Sequence, residues 1–412
     1  MKSMRIRLVI IFTSLLSISF GQINPVSPNL PFYKFIHYDL NRFELVEQNT
    51  AFKLLFSKFD SLLIRGTNQI NIVHIGGSHI QADIYTHRMR QELQSLYPGI
   101  LGSRGFFFPF KIAQTNSPSN LKMGYTGEWL TSKNTNPLPG SVLGLSGITS
   151  ILASDSGSIN LIAVYDSLKR YDFNRIRIYC NATADSSVRL IYPDHTVSQV
   201  TLNYEAGYIE YMLNQYTDTL SLVMFRGDSL NPFRLYGLSL DNDDPGVIYH
   251  AIGVNGAMLK SYLQCSLFSE QLRSLRPDWI IISIGTNEGN TRKFDETAYR
   301  NDYIRMINLI RSAAPEAAVL LTVPNDSYLL KRYTNNNTAV IRKVIYELAQ
   351  ANGCAVWDFY SVMGGLNSST TWYNNGLMAK DHIHFNKTGY LVKGELLFNA
   401  FLESWMGADN KR

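Results

Sequence analysis

An α/β fold, a parallel sheet flanked by helices and interrupted by a β-rich insertion, is what this sequence predicts, and three observations lead to it. Short apolar runs alternate with segments of helical period near both ends of the chain. Several runs, Trp279-Ile-Ile-Ile-Ser-Ile284 above all, are apolar at nearly every position, as strands buried on both faces must be. From about Gly102 to Asp244 the rhythm changes to short alternating runs separated by Asn, Asp, Gly and Pro turns, which suggests a β-sandwich.

The elements follow in chain order. Lys2, Arg5 and Arg7 precede an apolar run from Leu8 to Phe20, and Ser19-Phe20-Gly21 places small residues at the positions a signal peptidase reads. Residues 1–21 therefore read as a secretory signal cut before Gln22, with the product periplasmic or secreted. The run is too short for a comfortable membrane span, and no other stretch is long and apolar enough for one. Residues 22–38, rich in Pro, Asn and Ser, read as an extended lead-in. Phe52, Leu55, Phe56, Phe59 and Leu62 have helical spacing, so a helix is expected over Ala51–Leu63. A strand over Asn71–Gly76 and a helix over Ile84–Leu96 come next.

Within the insertion, Arg175–Cys180, Ser187–Tyr192, Leu220–Phe225 and Phe233–Leu240 read as strands. The α/β rhythm then resumes with strands Val247–Ile252, Trp279–Ile284, Ala318–Val323 and Ala355–Trp357. The expected helices are Ala257–Leu275, Ala298–Ala313, Thr338–Asn352 and Lys387–Trp405. The domain reading is a discontinuous α/β domain over 22–102 and 245–412 with the insertion at 103–244.

Composition narrows the function. The formal charge of +5 falls to +2 when the three basic residues of the signal are removed, so nucleic-acid binding is not expected. Cys180, Cys265 and Cys354 form no C-x-x-C pair, which excludes a zinc knuckle and leaves buried free thiols as the expectation. No two-His-plus-carboxylate spacing supports a catalytic metal, and no cofactor is expected.

In a doubly wound sheet reactive groups gather just past the carboxyl ends of the strands. The distinctive polar residues fall there: Ser78 in Gly76-Gly77-Ser78-His79, Gly256 in Gly253-Val-Asn-Gly256, Asn287 in Gly285-Thr-Asn287-Glu288, and Asp381-His-Ile-His384 before the last helix. Ser78 suits a nucleophile, His384 its base and Asp381 the group that orients the base. The Ser78 and Gly256 backbone N–H groups and the Asn287 amide suit an oxyanion hole. Taken singly, each has an ordinary reading: a turn serine, a turn glycine, a helix-capping asparagine or aspartate, a core histidine. His382 competes with His384 for the base role. His79, His74 and His250 read as structural, and the aromatic residues of the insertion as core or as sugar-stacking.

These four blocks resemble the SGNH or GDSL-like hydrolases. His74-Ile-Gly-Gly-Ser78-His79 resembles the first block, Gly256 the glycine block, Gly285-Thr-Asn287 the third, and Asp381-x-x-His384 the last. The resemblance implies a flavodoxin-like parallel five-stranded sheet and the catalytic roles given above. The family's usual Asp before the serine is Gly77 here, and Glu288 stands where the family often has Asp. A narrower resemblance is to peptidoglycan O-acetylesterases of the Ape type. It rests on Ser78-His79 with Asp83, on Gly102-Ser-Arg-Gly-Phe-Phe-Phe-Pro109, and on Pro245–Ala257. It implies a jelly-roll-like, carbohydrate-binding-module-like insertion and an acetylated polysaccharide or peptidoglycan substrate.

Overall fold

The computed structural model describes residues 30–45, 49–99, 101–181, 187–191, 197–228 and 230–409. The secretory-signal reading lies outside them. The chain divides into two units, Met1–Lys34 and Phe35–Arg412; the elements below belong to the second.

Five strands run parallel: Gln69–Gly76, Gly246–Gly253, Trp279–Ser283, Ala318–Thr322 and Ala355–Trp357. In chain order they lie 2-1-3-4-5 across the sheet. A sixth strand, Phe43–Glu44, joins the far edge antiparallel to Ala355–Trp357, so the sheet is six-stranded and mixed. The sequence reading did not anticipate this strand, because two residues are too few to show an alternation.

Alternate residues of each strand serve opposite faces. Trp279 meets Phe43, Phe52 and Phe401, on the side of helices Thr50–Arg65 and Lys387–Asp409. Val73, Ile75, Ile280, Ile282, Val319 and Leu321 join the opposite core with Tyr303, Ile307, Ile341 and Ile345 of helices Glu296–Ala313 and Asn337–Asn352. Apolar burial on both faces explains why these strands read as unbroken apolar runs.

Two boundaries differ from expectation. The segment after Ser78 is a four-residue helix, Ser78–Gln81, followed by Tyr85–Gln94, with Asp83 between them at φ 45°. The long helix expected over Ala257–Leu275 is two short ones, Leu259–Leu263 and Phe268–Ser274.

The strands between Gly105 and Asp241 form two antiparallel sheets of their own, one of seven strands and one of four. Ile159 and Leu161 of one sheet and Ile176, Ile178 and Ile209 of the other lie in a common apolar core, and every second residue of Ser156–Ala163 faces inward. Cys180, Cys265 and Cys354 are buried, and no disulfide joins them.

The joint between insertion and sheet is polar. Asp83, buried, accepts from Arg90 at 3.2 Å, Arg104 at 2.9 Å and Asn120 at 2.9 Å. Burial opposes its charge, but Arg90 and Arg104 outweigh that and hold the carboxyl well below its usual range. Asp83→Ala leaves two buried guanidinium groups without their counter-charge. Urea unfolding should show a loss of about 3–5 kcal/mol.

Candidate active site

Three strands end at the same level. Gly76 is in register with Gly253 on one side and with Ser283 on the other. The loops leaving these ends carry Ser78, Gly256 and Asn287, at the point where the chain order of the strands reverses. Close packing makes this possible: a Cβ on Gly253 would sit 2.3 Å from the Gln81 nitrogen, so only glycine lets the Ser78 turn lie against the neighbouring strand end.

The fourth segment comes from the far end of the sequence. Asp381 folds back on its own turn, where its Oδ1 accepts from the Ile383 and His384 backbone N–H groups at 3.0 Å each. Ala379 N–H donates to the His384 carbonyl, Tyr328 N–H to the His382 carbonyl and the Asn325 amide to the Ile383 carbonyl. The turn is thus fixed by its own bonds and by the loop after the fourth parallel strand.

His384 Nδ1 lies 2.7 Å from Asp381 Oδ2, and His384 Nε2 lies 2.9 Å from Ser78 Oγ. Burial opposes the Asp381 charge, but the hydrogen bonds from the His384 backbone and ring and from Ile383 outweigh it and lower the carboxyl below its ordinary value. An ionised carboxylate only accepts, so Nδ1 carries the ring proton and Nε2 is left to accept from the Ser78 hydroxyl. The structure therefore brings Ser78, His384 and Asp381 into one hydrogen-bonded chain.

Gly256 adopts φ 81°, a conformation glycine reaches without strain. The space beside it is open as far as Thr135, 3.8 Å from a built Cβ, so the backbone angle and not crowding is what calls for glycine here. Neither the Ser78 N–H nor the Gly256 N–H has a protein acceptor among the described residues. The Asn287 amide donates one hydrogen to the Ala257 carbonyl at 2.9 Å and has a second to offer. A Cβ at Gly77 would lie 3.2 Å from that amide nitrogen, so this glycine leaves room for Asn287 beside the Ser78 turn.

Sequence reasoning missed Gln81. It is buried, its Oε1 accepts from the Asn255 N–H at 2.8 Å, and its Nε2 donates to the Asn116 carbonyl at 2.9 Å. It thereby ties the residue before Gly256 to a loop of the insertion. No spacing in the sequence marks it. Gln81→Leu should lower kcat about tenfold with KM little changed, since the Gly256 donor loses its support but is not removed. Steady-state kinetics check this split.

The other histidines are placed differently. His382 stacks on Tyr328, at 4.1 Å, and lies tilted against Tyr373, at 4.6 Å, while Ser78 Oγ bonds to His384. His79 packs 5.2 Å from the His384 ring and accepts or donates at the Tyr390 hydroxyl, 2.9 Å away. Burial, then the Lys393 and His384 charges, keep it well below its ordinary pKa, so it walls the base as a neutral ring. His74 and His250 lie buried in strands, bonded to Tyr249 and Ser283 and to the Phe106 N–H respectively.

Glu288, beside Asn287, accepts from the Leu259 N–H, yet burial raises its pKa to about 7. The folded state then holds a proton that the unfolded chain gives up near 4.5, so stability falls as pH rises from about 4.5 to 7 and stays lowered above. Glu288→Gln keeps the acceptor and removes the titration. Calorimetry should show Tm raised by about 2–4 °C at pH 8 and by less at pH 5.

Residues 226–392 match the family model for GDSL-like lipase/acylhydrolase. No curated protein matches the chain. Among solved structures, a peptidoglycan O-acetylesterase aligns with TM-score 0.68 at 21% identity over 85% of this chain and 96% of its own. A lipase/acylhydrolase from Enterococcus faecalis aligns with TM-score 0.30 at 22% identity, over 38% of this chain and 74% of its own. An acetylxylan esterase from Geobacillus stearothermophilus aligns with TM-score 0.32 at 15% identity, over 39% and 74%. The chain thus carries the GDSL-like lipase/acylhydrolase pattern over residues 226–392, the stretch that holds Gly256, Asn287, Asp381 and His384, and its fold is similar to that of a peptidoglycan O-acetylesterase across most of its length.

Proposed function

We propose that the protein is an exported O-acetylesterase that removes acetyl groups from a cell-wall glycan, using Ser78, His384 and Asp381 as its triad. The observation that carries the reading is the unbroken chain from the Ser78 hydroxyl through the His384 ring to the Asp381 carboxylate. Likeness of fold to a peptidoglycan O-acetylesterase, insertion included, supports the substrate class. The basic-then-apolar start of the sequence supports export, where such a glycan is found.

The chemistry follows from the geometry. Ser78 Oγ attacks the acetyl carbonyl carbon while its proton passes to His384 Nε2. The oxyanion accepts from the Ser78 and Gly256 N–H groups and the Asn287 amide. The bond to the sugar oxygen breaks, that oxygen takes the proton from His384, and Ser78 is left acetylated. Water then gives a proton to His384 and attacks the acetyl carbon. Collapse expels the Ser78 oxygen, which recovers the proton, and acetate leaves. Residues 103–244 serve in this reading as a glycan-holding module.

The test is acetate release from O-acetylated peptidoglycan compared with acetylated xylan, with transfer to a second sugar followed in parallel. Faster release from peptidoglycan supports the reading. Preference for xylan moves the substrate to plant glycan, and acetyl transfer without free acetate makes the protein a transferase.

A further inference from the structure

Beside the triad stands a small hairpin, Tyr328–Leu329 paired with Tyr333–Thr334, that takes no part in the chemistry above. It rests on both halves of the site. Tyr328 stacks on His382, two residues from His384, and the Leu330 N–H donates to Asn290 Oδ1, three residues from Asn287, at 2.7 Å.

Its turn holds two non-glycine residues in the left-handed region, Leu330 at φ 54° and Lys331 at φ 60°. Such a conformation is unfavourable for these side chains and persists where the surroundings impose it. Here it presents a cluster of cations. Arg292 and Arg332 lie over the exposed Tyr333 ring, at 5.6 Å and 5.5 Å, and Lys293 and Lys331 adjoin them in the chain, all four exposed.

None of the four forms a salt bridge among the described residues. The nearest acid in sequence, Asp295, is engaged as a helix cap, accepting from the Ala298 N–H at 2.9 Å. Elsewhere in the molecule exposed arginines do find carboxylates, as Arg170 does with Asp218 and Arg273 with Glu205.

We infer that Arg292, Arg332, Lys293 and Lys331, arrayed around Tyr333, form a subsite for a carboxylate carried by the glycan next to the reacting ester. A guanidinium pair suits a carboxylate geometrically, and the Tyr333 ring holds the two guanidinium groups near each other. The inference rests on the glycan reading above but concerns binding, not hydrolysis. Two kinds of glycan carry the required group: chains with uronic acid units, and cell-wall strands with lactyl-linked peptides.

The test uses full-length protein with Ser78→Ala, so that binding is measured without turnover. Oligogalacturonate and unacetylated muropeptides are the two charged probes, and a chito-oligosaccharide is the neutral one. At low ionic strength at least one charged probe should bind more tightly than the neutral probe, and which of them binds identifies the source of the carboxylate. Arg292→Glu with Arg332→Glu should weaken that binding about five- to tenfold, and added salt should shrink the difference. Arg292→Lys with Arg332→Lys keeps the charge and should retain most of the affinity. A thermal melt matching the parent shows that the reversed variant is folded.

Equal affinity for charged and neutral probes, or charge reversal without effect in a folded variant, overturns the subsite. That failure is separable from failure of the esterase reading, which acetate release by the Ser78 protein reports independently.

Discussion

Ser78→Ala should abolish ester turnover, with kcat/KM on a small acetyl ester falling about 10⁵-fold and labelling by a fluorophosphonate lost. The side chain is half-buried at the start of a four-residue helix, and among the described residues it bonds to His384 alone, so removing one oxygen costs the fold little. Loss of activity with an unchanged melting curve assigns the nucleophile. Retained labelling in the alanine variant would place the reactive hydroxyl elsewhere. No labelling of either form would leave the chain a glycan-binding protein on a hydrolase fold.

Asp381→Asn is expected to cost about 10⁴ in kcat, the size of effect known when a triad carboxylate becomes an amide. The reason lies in the ring proton. Asp381 Oδ2 accepts from His384 Nδ1 and so fixes the proton there, leaving Nε2 free to take the Ser78 proton. An amide nitrogen facing Nδ1 donates instead, which moves the ring proton to Nε2 and blocks it as a base. The amide oxygen can still accept from the Ile383 and His384 N–H groups, so the turn survives. A loss in kcat with KM and thermal stability nearly unchanged supports this account. A variant that loses the turn as well, seen as a large drop in Tm, would show that Asp381 acts mainly through structure.

The same two residues show how much was legible beforehand. Asp381 and His384 sit three apart, and such a pair can be proposed from spacing because a short turn brings the groups together without help from the rest of the chain. Gly256 and Asn287 were legible for another reason: both follow runs that can only be buried parallel strands, and strand ends of one sheet share one edge. His382 could not be told from His384 by spacing alone. Their separation comes from Tyr328 and Tyr373, which pack against the His382 ring, while the His384 ring bonds to the serine.

The sequence by itself determined the alternation of strands and helices, the place of the insertion and the four polar blocks at strand ends. These depend on local periodicity and on residue chemistry, which a chain carries wherever it folds. Only the tertiary structure decided that Gln81 braces the loop before Gly256, that Asp83 pairs with two buried arginines, one of them in the insertion, and that a cationic hairpin stands beside the Asp381–His384 turn. Each of these depends on groups meeting across long stretches of chain, such as Gln81 with Asn255 or Leu330 with Asn290. Burial and distance in space set their worth, and neither is written in residue order.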